Sequence, residues 1–183
     1  MGLSPKRPLQ RAYRQDSDVV ERWKTHEFPA IRAEAKKAGA TIYFADEACI
    51  RSDYHSGTTW APVGHTPVVR GTGARYSVNM LSAVSAQGAL RFMVHDGTVN
   101  AKVFLEFCKR LLADADRPVF LVVDGHPSHR AKTVAQFVAS TNGRLRLFFV
   151  PGYSPELNPD EWVWTNIKHD RIGKIGVTNK DDL

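Results

Sequence analysis

Apolar residues in this chain occur in two patterns, short continuous runs and longer stretches with three- and four-residue spacing. The first marks buried strands and the second amphipathic helices. Ile42-Tyr43-Phe44-Ala45 and Val119-Phe120-Leu121-Val122-Val123 are the clearest runs, and each stops at an aspartate, Asp46 and Asp124. The pattern predicts a first strand over 41–49, then a Gly/Pro-rich excursion from Gly57 to Pro67. Two further strands follow, Arg75 to Ser85 and Leu90 to His95, joined by a hairpin at Ala86-Gln87-Gly88-Ala89. Asn100 to Ala115 reads as the strongest helix, with Val103, Phe104, Phe107, Cys108, Leu111 and Leu112 on one face. Beyond the Val119–Val123 strand come a helix over Ala131 to Ala139, a strand over Leu145 to Val150, and a helix opening at Asn158. The order βββαβαβα specifies an α/β fold, a mixed five-stranded sheet flanked by helices, with the helix-linked strands parallel.

Ahead of the sheet, Asp18 to Ala38 has helical spacing in two stripes, Val19-Val20-Trp23 and Ile31-Ala35-Ala38. Pro29 is predicted to kink or split this helix, and Gly39 to end it. Met1 to Gln15 has no apolar period and reads as an extended arm. The chain thus divides into a basic arm and helix (1–40), a main domain (41–172) and the start of a further segment (173–183). In that last segment Thr178-Asn179-Lys180-Asp181 has a capping-box pattern, so the chain reads as a piece of something longer.

Composition narrows the function. With 183 residues, 43% of them hydrophobic, the chain can bury one good core. Its net charge of +6 suits a polyanionic partner. The excess is local: residues 1–40 carry nine Lys/Arg against five Asp/Glu, whereas 41–100 carry four of each. Lys6, Arg7, Arg11 and Arg14 in the arm, with Arg130 and Lys132 beyond Asp124, are candidate contacts to the phosphates of double-stranded DNA. Cys49 and Cys108 read as small buried hydrophobes. No apolar run is long enough to span a membrane and no signal peptide is evident, so a cytoplasmic protein is the default expectation.

The chemistry centres on carboxylates. An aspartate at the tip of a buried strand needs water, a basic group or a cation beside it, and hard oxygen ligands suit magnesium or manganese. In the first strand Asp46 shares a face with Ile42 and Phe44, while the adjacent Glu47 lies on the other face. From the residues alone, either acid is a candidate ligand, or both simply solvate the strand end. Asp124 is the stronger candidate, because Gly125-His126-Pro127 ends its strand abruptly at the edge where open sheets bind ligands. Glu161, 37 positions beyond Asp124, carries two readings. It is a candidate third ligand, and it also stands at the third position of a helix capped by Asn158-Pro159, where a capping-box glutamate belongs. Asp160 beside it complements the helix dipole. His126 and His129 are three apart with no cysteine or further histidine pair at ligand spacing, which argues against a structural zinc site. Trp60, Trp162 and Trp164 read as core or interface residues.

Phe44-Ala45-Asp46-Glu47-Ala48, Trp60-Ala61-Pro62-Val63-Gly64, Leu121 to His129 and above all Pro151-Gly152-Tyr153-Ser154-Pro155-Glu156-Leu157-Asn158-Pro159-Asp160-Glu161-Trp162-Val163-Trp164 resemble one family. It is the catalytic domain of bacterial insertion-sequence transposases of the mariner-like superfamily, and the resemblance spans about residues 2–172. It implies a ribonuclease-H-like fold and an Asp-Asp-Glu triad of Asp46, Asp124 and Glu161, which favours Asp46 over Glu47. Glu47, His126, Asn158 and Asp160 then become supporting residues around that triad. It also implies two Mg²⁺ or Mn²⁺ ions about 3.5–4 Å apart, and DNA strand cleavage followed by strand transfer. A homodimer is the expected active complex, with this chain alone a monomer or weak dimer. The family's helix-turn-helix end-recognition region has no counterpart here, and Gly2-Leu3-Ser4-Pro5 resembles the linker that follows it. Two rival functions are a ribonuclease-H-like nuclease that cuts without joining, and an inactive remnant that only binds DNA.

Overall fold

The computed structural model describes residues 12–53, 60–68, 74–171 and 179–183, with the side chains of 169–171 left aside. Five strands form one sheet in the order β3-β2-β1-β4-β5. They are β1 (Thr41–Arg51), β2 (Ser77–Ser85), β3 (Leu90–His95), β4 (Val119–Val123) and β5 (Leu145–Phe149). The first three form an antiparallel meander. Parallel pairing of β4 with β1 and of β5 with β4 follows from the helical crossovers that precede them. β1 runs two residues further than its apolar run predicts, because it stays paired with β2 as far as Arg51↔Ser77. The β2–β3 turn closes as expected, with Gly88 at φ 84°.

Helices cover both faces. On one, α3 (Ala101–Ala113) and α4 (Lys132–Ser140) pack on alternate residues of the strands. Tyr43, Ala45, Leu81, Leu121 and Val123 meet Phe104, Phe107, Cys108 and Leu111 there. The stripe of α3 predicts this face, and the Asn100 carboxamide caps the helix by accepting from the Lys102 and Val103 amides. On the other face lie α1 (Ser17–Arg22), α2 (Phe28–Ala38) and α5 (Asp160–Thr165). Trp23 meets Phe44 and Val122, Ile31 meets Phe120, and Trp164 meets Ala48, Ile50 and Val78. β4 is buried along its whole length, which is why its sequence is a continuous apolar run.

Several expectations are corrected. Pro29 does not split the N-terminal helix. A π-helical turn (Trp23–Glu27) precedes it, and the Phe28 N–H reaches the Trp23 carbonyl, carrying the helical run past a residue with no N–H. Gly39 ends the helix in the left-handed conformation, as its position predicts. Cys108 is buried but Cys49 is exposed, because its strand face opens to solvent beyond the α3 core. Trp164 is core, whereas Trp60 and Trp162 stand in solvent. The terminal capping box forms one residue later than predicted, between Asn179 and Asp182.

Candidate active site

The parallel register fixes where the two strand-end aspartates stand. Phe44 pairs with Val122, so Asp46 and Asp124, each two residues further on, reach the same level on neighbouring strands. Strands in a sheet lie ~4.8 Å apart, which sets their lateral separation. After β5 the chain turns through Pro151–Ser154 and a 3₁₀ turn (Pro155–Leu157) into α5, which packs on β1 and β2. Asp46, Asp124 and Glu161 thereby line one open cavity of about 520 Å³, together with His126, Tyr153, Ser154 and Asn158.

Asn158 is the joint that holds α5 in place. Its side chain is buried, and Nδ2 donates to the Ala45 carbonyl at 3.1 Å, one residue before Asp46. Its Oδ1 accepts from the Asp160 N–H at 3.1 Å. Asn158 therefore satisfies the first amide of α5 and ties the helix to β1. The Asn158 N–H bonds to the Pro155 carbonyl, so Glu161 closes no capping box and its carboxylate is directed to the cavity. Asp160 does more than complement a dipole. It is fully buried, and its Oδ2 accepts from the Ser82 hydroxyl at 2.6 Å. Ser82 pairs with Asp46 across β1 and β2, so this bond fastens α5 to both strands. Oδ1 of Asp160 is buried with no hydrogen-bond partner.

Two acids on this side, Asp46 and Asp160, hold protons more tightly than usual. Burial, the Glu161 carboxylate and, more weakly, Glu47 and Asp160 push Asp46 up to about 7. Among the described residues, the opposing influence is a backbone amide, that of Glu47. Burial likewise pushes Asp160 up to about 6, against the Ser82 hydrogen bond that lowers it.

Asp124 behaves in the opposite way. Oδ1 lies 2.8 Å from His129 Nδ1 and accepts from the His126 N–H at 3.0 Å. The His129 hydrogen bond holds its carboxyl below the usual range. The His129 ring is buried against Phe104, with centroids 4.2 Å apart, and its Nε2 lies 3.2 Å from Glu47 Oε2. Burial pulls this ring down, but Asp124 and Glu47 outweigh it and hold its pKa at about 9. Glu47 thus faces histidines on the α3 side of the sheet, while Asp46 faces acids on the α5 side.

The predicted DNA contacts divide. Lys6, Arg7 and Arg11 lie outside the described residues. Arg14 is exposed at the cavity rim, its guanidinium 3.3 Å from the Tyr153 hydroxyl. Gln15 extends this link: Nε2 lies within 3.1, 3.1 and 2.6 Å of Tyr153 O, Ser154 Oγ and Glu156 Oε1. Arg130 stacks on Phe149 at 4.0 Å and lies beside Gly125, while Lys132 is exposed at the start of α4. Sequence reasoning did not single out Ser82, Tyr153 or the bond from His129 to Asp124. Of these, only His129 carries a sequence signal, its spacing from Asp124 across a turn. Tyr153 holds a left-handed backbone at φ 57° in the turn that forms the rim.

The comparisons place this topology in a family. The chain belongs to the DDE superfamily endonuclease family, whose model matches residues 41–183. Among solved structures it is similar to the Mos1 strand transfer complex, at 19% identity and TM-score 0.69, covering 99% of this chain and 56% of that one. It is also similar to the Mos1 mariner paired-end complex with Mn, at 18% identity and TM-score 0.68, covering 100% of this chain and 57% of that one. The catalytic domain of Mos1 mariner transposase aligns at 17% identity and TM-score 0.61, over 97% of this chain and 80% of that domain. These likenesses show the ribonuclease-H-like fold expected from the sequence. The chain spans little more than half the length of the first two. A search of curated proteins found no match to the sequence. Among the described residues no helix is long and apolar enough to cross a membrane.

Proposed function

We propose that this chain is the catalytic domain of a DNA transposase, with Asp46, Asp124 and Glu161 holding divalent cations that support strand cleavage and strand transfer. The observation that carries this reading is the convergence of those three carboxylates, from two strand ends and one helix, on a single open cavity. The donor set suits a hard dication: it offers oxygen atoms only, and the raised pKa of Asp46 marks a place short of positive charge. When bound, such ions activate the attacking hydroxyl and stabilise the leaving oxygen in phosphoryl transfer.

The chain's own groups have separable roles. Asp46 would hold the ion in its ionised form. Asn158 and the Ser82–Asp160 pair fix α5 against β1 and β2, so that Glu161 is presented at a constant distance from the strands. His129 and the His126 amide orient Asp124. Arg14 at the rim and Arg130 beside Gly125 bring positive charge to the site and, with Lys132 at the start of α4, would hold the DNA backbone without reading bases. The decisive experiment incubates the chain with DNA bearing a pre-cleaved 3′ end and a target duplex, in Mg²⁺ or Mn²⁺. Joined products that vanish in Asp124→Asn support the proposal. Cleavage without joining favours the nuclease reading, and DNA binding with neither reaction favours the binding remnant.

A further inference from the structure

Next to the three-carboxylate cavity, Glu47 on the α3 side of β1 meets His129 and His126, the last of which also lines that cavity, in a second cluster. Each offers one ligand atom, and these atoms lie within 4.8 Å of one another. Glu47 Oε2 is 3.2 Å from His129 Nε2, and Glu47 Oε1 is 3.7 Å from His126 Nδ1. Ligands on a tetrahedral zinc with bonds of ~2.0–2.1 Å stand ~3.3 Å apart, and the Glu47 carboxylate, facing one ring with each oxygen, already holds both imidazoles near that spacing. We propose that Glu47, His126 and His129 form a binding site for a transition-metal dication of the zinc class, adjoining the three-carboxylate cavity but using none of its three carboxylates.

Three observations support it. First, His129 Nε2 is buried and stands 3.2 Å from Glu47 Oε2 without a well-aligned hydrogen bond, so a dication between them would take the place of the proton that Glu47 now attracts. The side chain is only 1% exposed, so water cannot serve that nitrogen. Second, the other ring nitrogen donates to Asp124 at 2.8 Å. A metal-binding histidine commonly donates its far N–H to a carboxylate, which fixes the tautomer and aims the free lone pair at the metal. Third, the cluster borders an open hollow of about 280 Å³ that Glu47, Cys49, Asn79 and His126 line, which leaves room for solvent ligands and an entry path. The two imidazoles select a borderline metal over magnesium, which prefers oxygen. Binding through Nδ1 of His126 breaks its contact with Ser128 Oγ, at 2.7 Å, and His126 is exposed enough to reorient. The sequence argument against zinc counted only ligands near His126 and His129. The fold supplies the third from β1.

The test titrates Zn²⁺ into the tag-free chain by calorimetry in a large excess of Mg²⁺, with Co²⁺ absorption as an independent probe of nitrogen ligation. One saturable site is expected, weakened by at least about tenfold in both Glu47→Gln and His126→Ala. Glu161→Gln, which alters the carboxylate cavity and none of the three ligands, is expected to keep it. His129→Ala is avoided because it opens the core, and near-UV circular dichroism verifies that the chosen variants fold. Absence of saturable binding overturns the proposal. So does binding that survives Glu47→Gln and His126→Ala, or binding that is lost in Glu161→Gln alone.

Discussion

Asp46 and Glu47 are neighbours in sequence, yet they belong to different electrostatic worlds. Asp46 looks toward α5, where Glu161 and Asp160 add negative charge and burial removes water, so its carboxyl is pushed up to about 7. Glu47 looks toward α3, where two histidines meet it. Asp124 sits between the two sides, lining the acidic cavity while accepting from His129. The difference shows that a pleated strand can place an uncompensated acid and a compensated one a single residue apart. One side gathers acids with no basic group among their described partners, and on the other two histidines face the acid.

The harshest way to break this contrast is to neutralise the acidic side. Asp46→Asn or Asp124→Asn is expected to bring divalent-dependent cleavage to background, measured on a labelled duplex. Cleavage at the wild-type rate in either variant would remove that residue from the proposed site. Asn158→Ala comes next. It leaves the Ala45 carbonyl without its donor, and a buried unpaired carbonyl costs about 1–3 kcal/mol. Loss of a group that positions a ligand typically lowers activity ~10–100-fold. Urea unfolding and cleavage rates measured on one preparation would test both, and an unchanged rate would show that Glu161 needs no such joint.

The two sides also differ in how pH acts on stability. Asp46 and Asp160 bind protons more tightly folded than unfolded, so their contribution falls as pH rises from about 4 to about 7 in chelator-treated protein. His129 is raised too, so its stabilisation is full below 6.5 and is lost as pH rises through about 9. Asp124, lowered, contributes above 3.8 and loses that contribution on further acidification. Asp46→Asn is therefore expected to stabilise the metal-free protein by about 1–3 kcal/mol at pH 8 and to flatten the slope below pH 7. Thermal melts across that range provide the check, and a destabilised variant at pH 8 would contradict the charge assignment. The smallest effect concerns the rim. Arg14→Ala is expected to weaken binding to any duplex about equally and to reduce the salt slope by about one, seen in titrations at several salt concentrations.

The sheet was legible because its strands and helices carry different periods. The all-apolar Val119–Val123 run requires burial on both faces, and the α3 stripe requires a partner surface. Asp46, Asp124 and Glu161 were nameable as candidates, since strand ends and a helix start are local features. What surrounds them was less accessible. Asp160 reads as an ordinary first-turn acid, and only the packing of α5 on Ser82 makes it a buried one. The pairing of His129 with Asp124 depends on the path of the turn between them. Cys49 was misjudged because alternation along a strand reveals that two faces exist, but not where a covering helix stops. The unbroken run past Pro29 was missed because a π-helical turn leaves no mark in apolar spacing.

Gln15 has one amide group with two hydrogens, and it stands within bonding distance of three oxygens on the loop that forms the cavity mouth. Such a joint is oversubscribed: it can trade one acceptor for another, so small movements cost little and large ones forfeit every bond together. It behaves as a latch with some play rather than as a rigid weld.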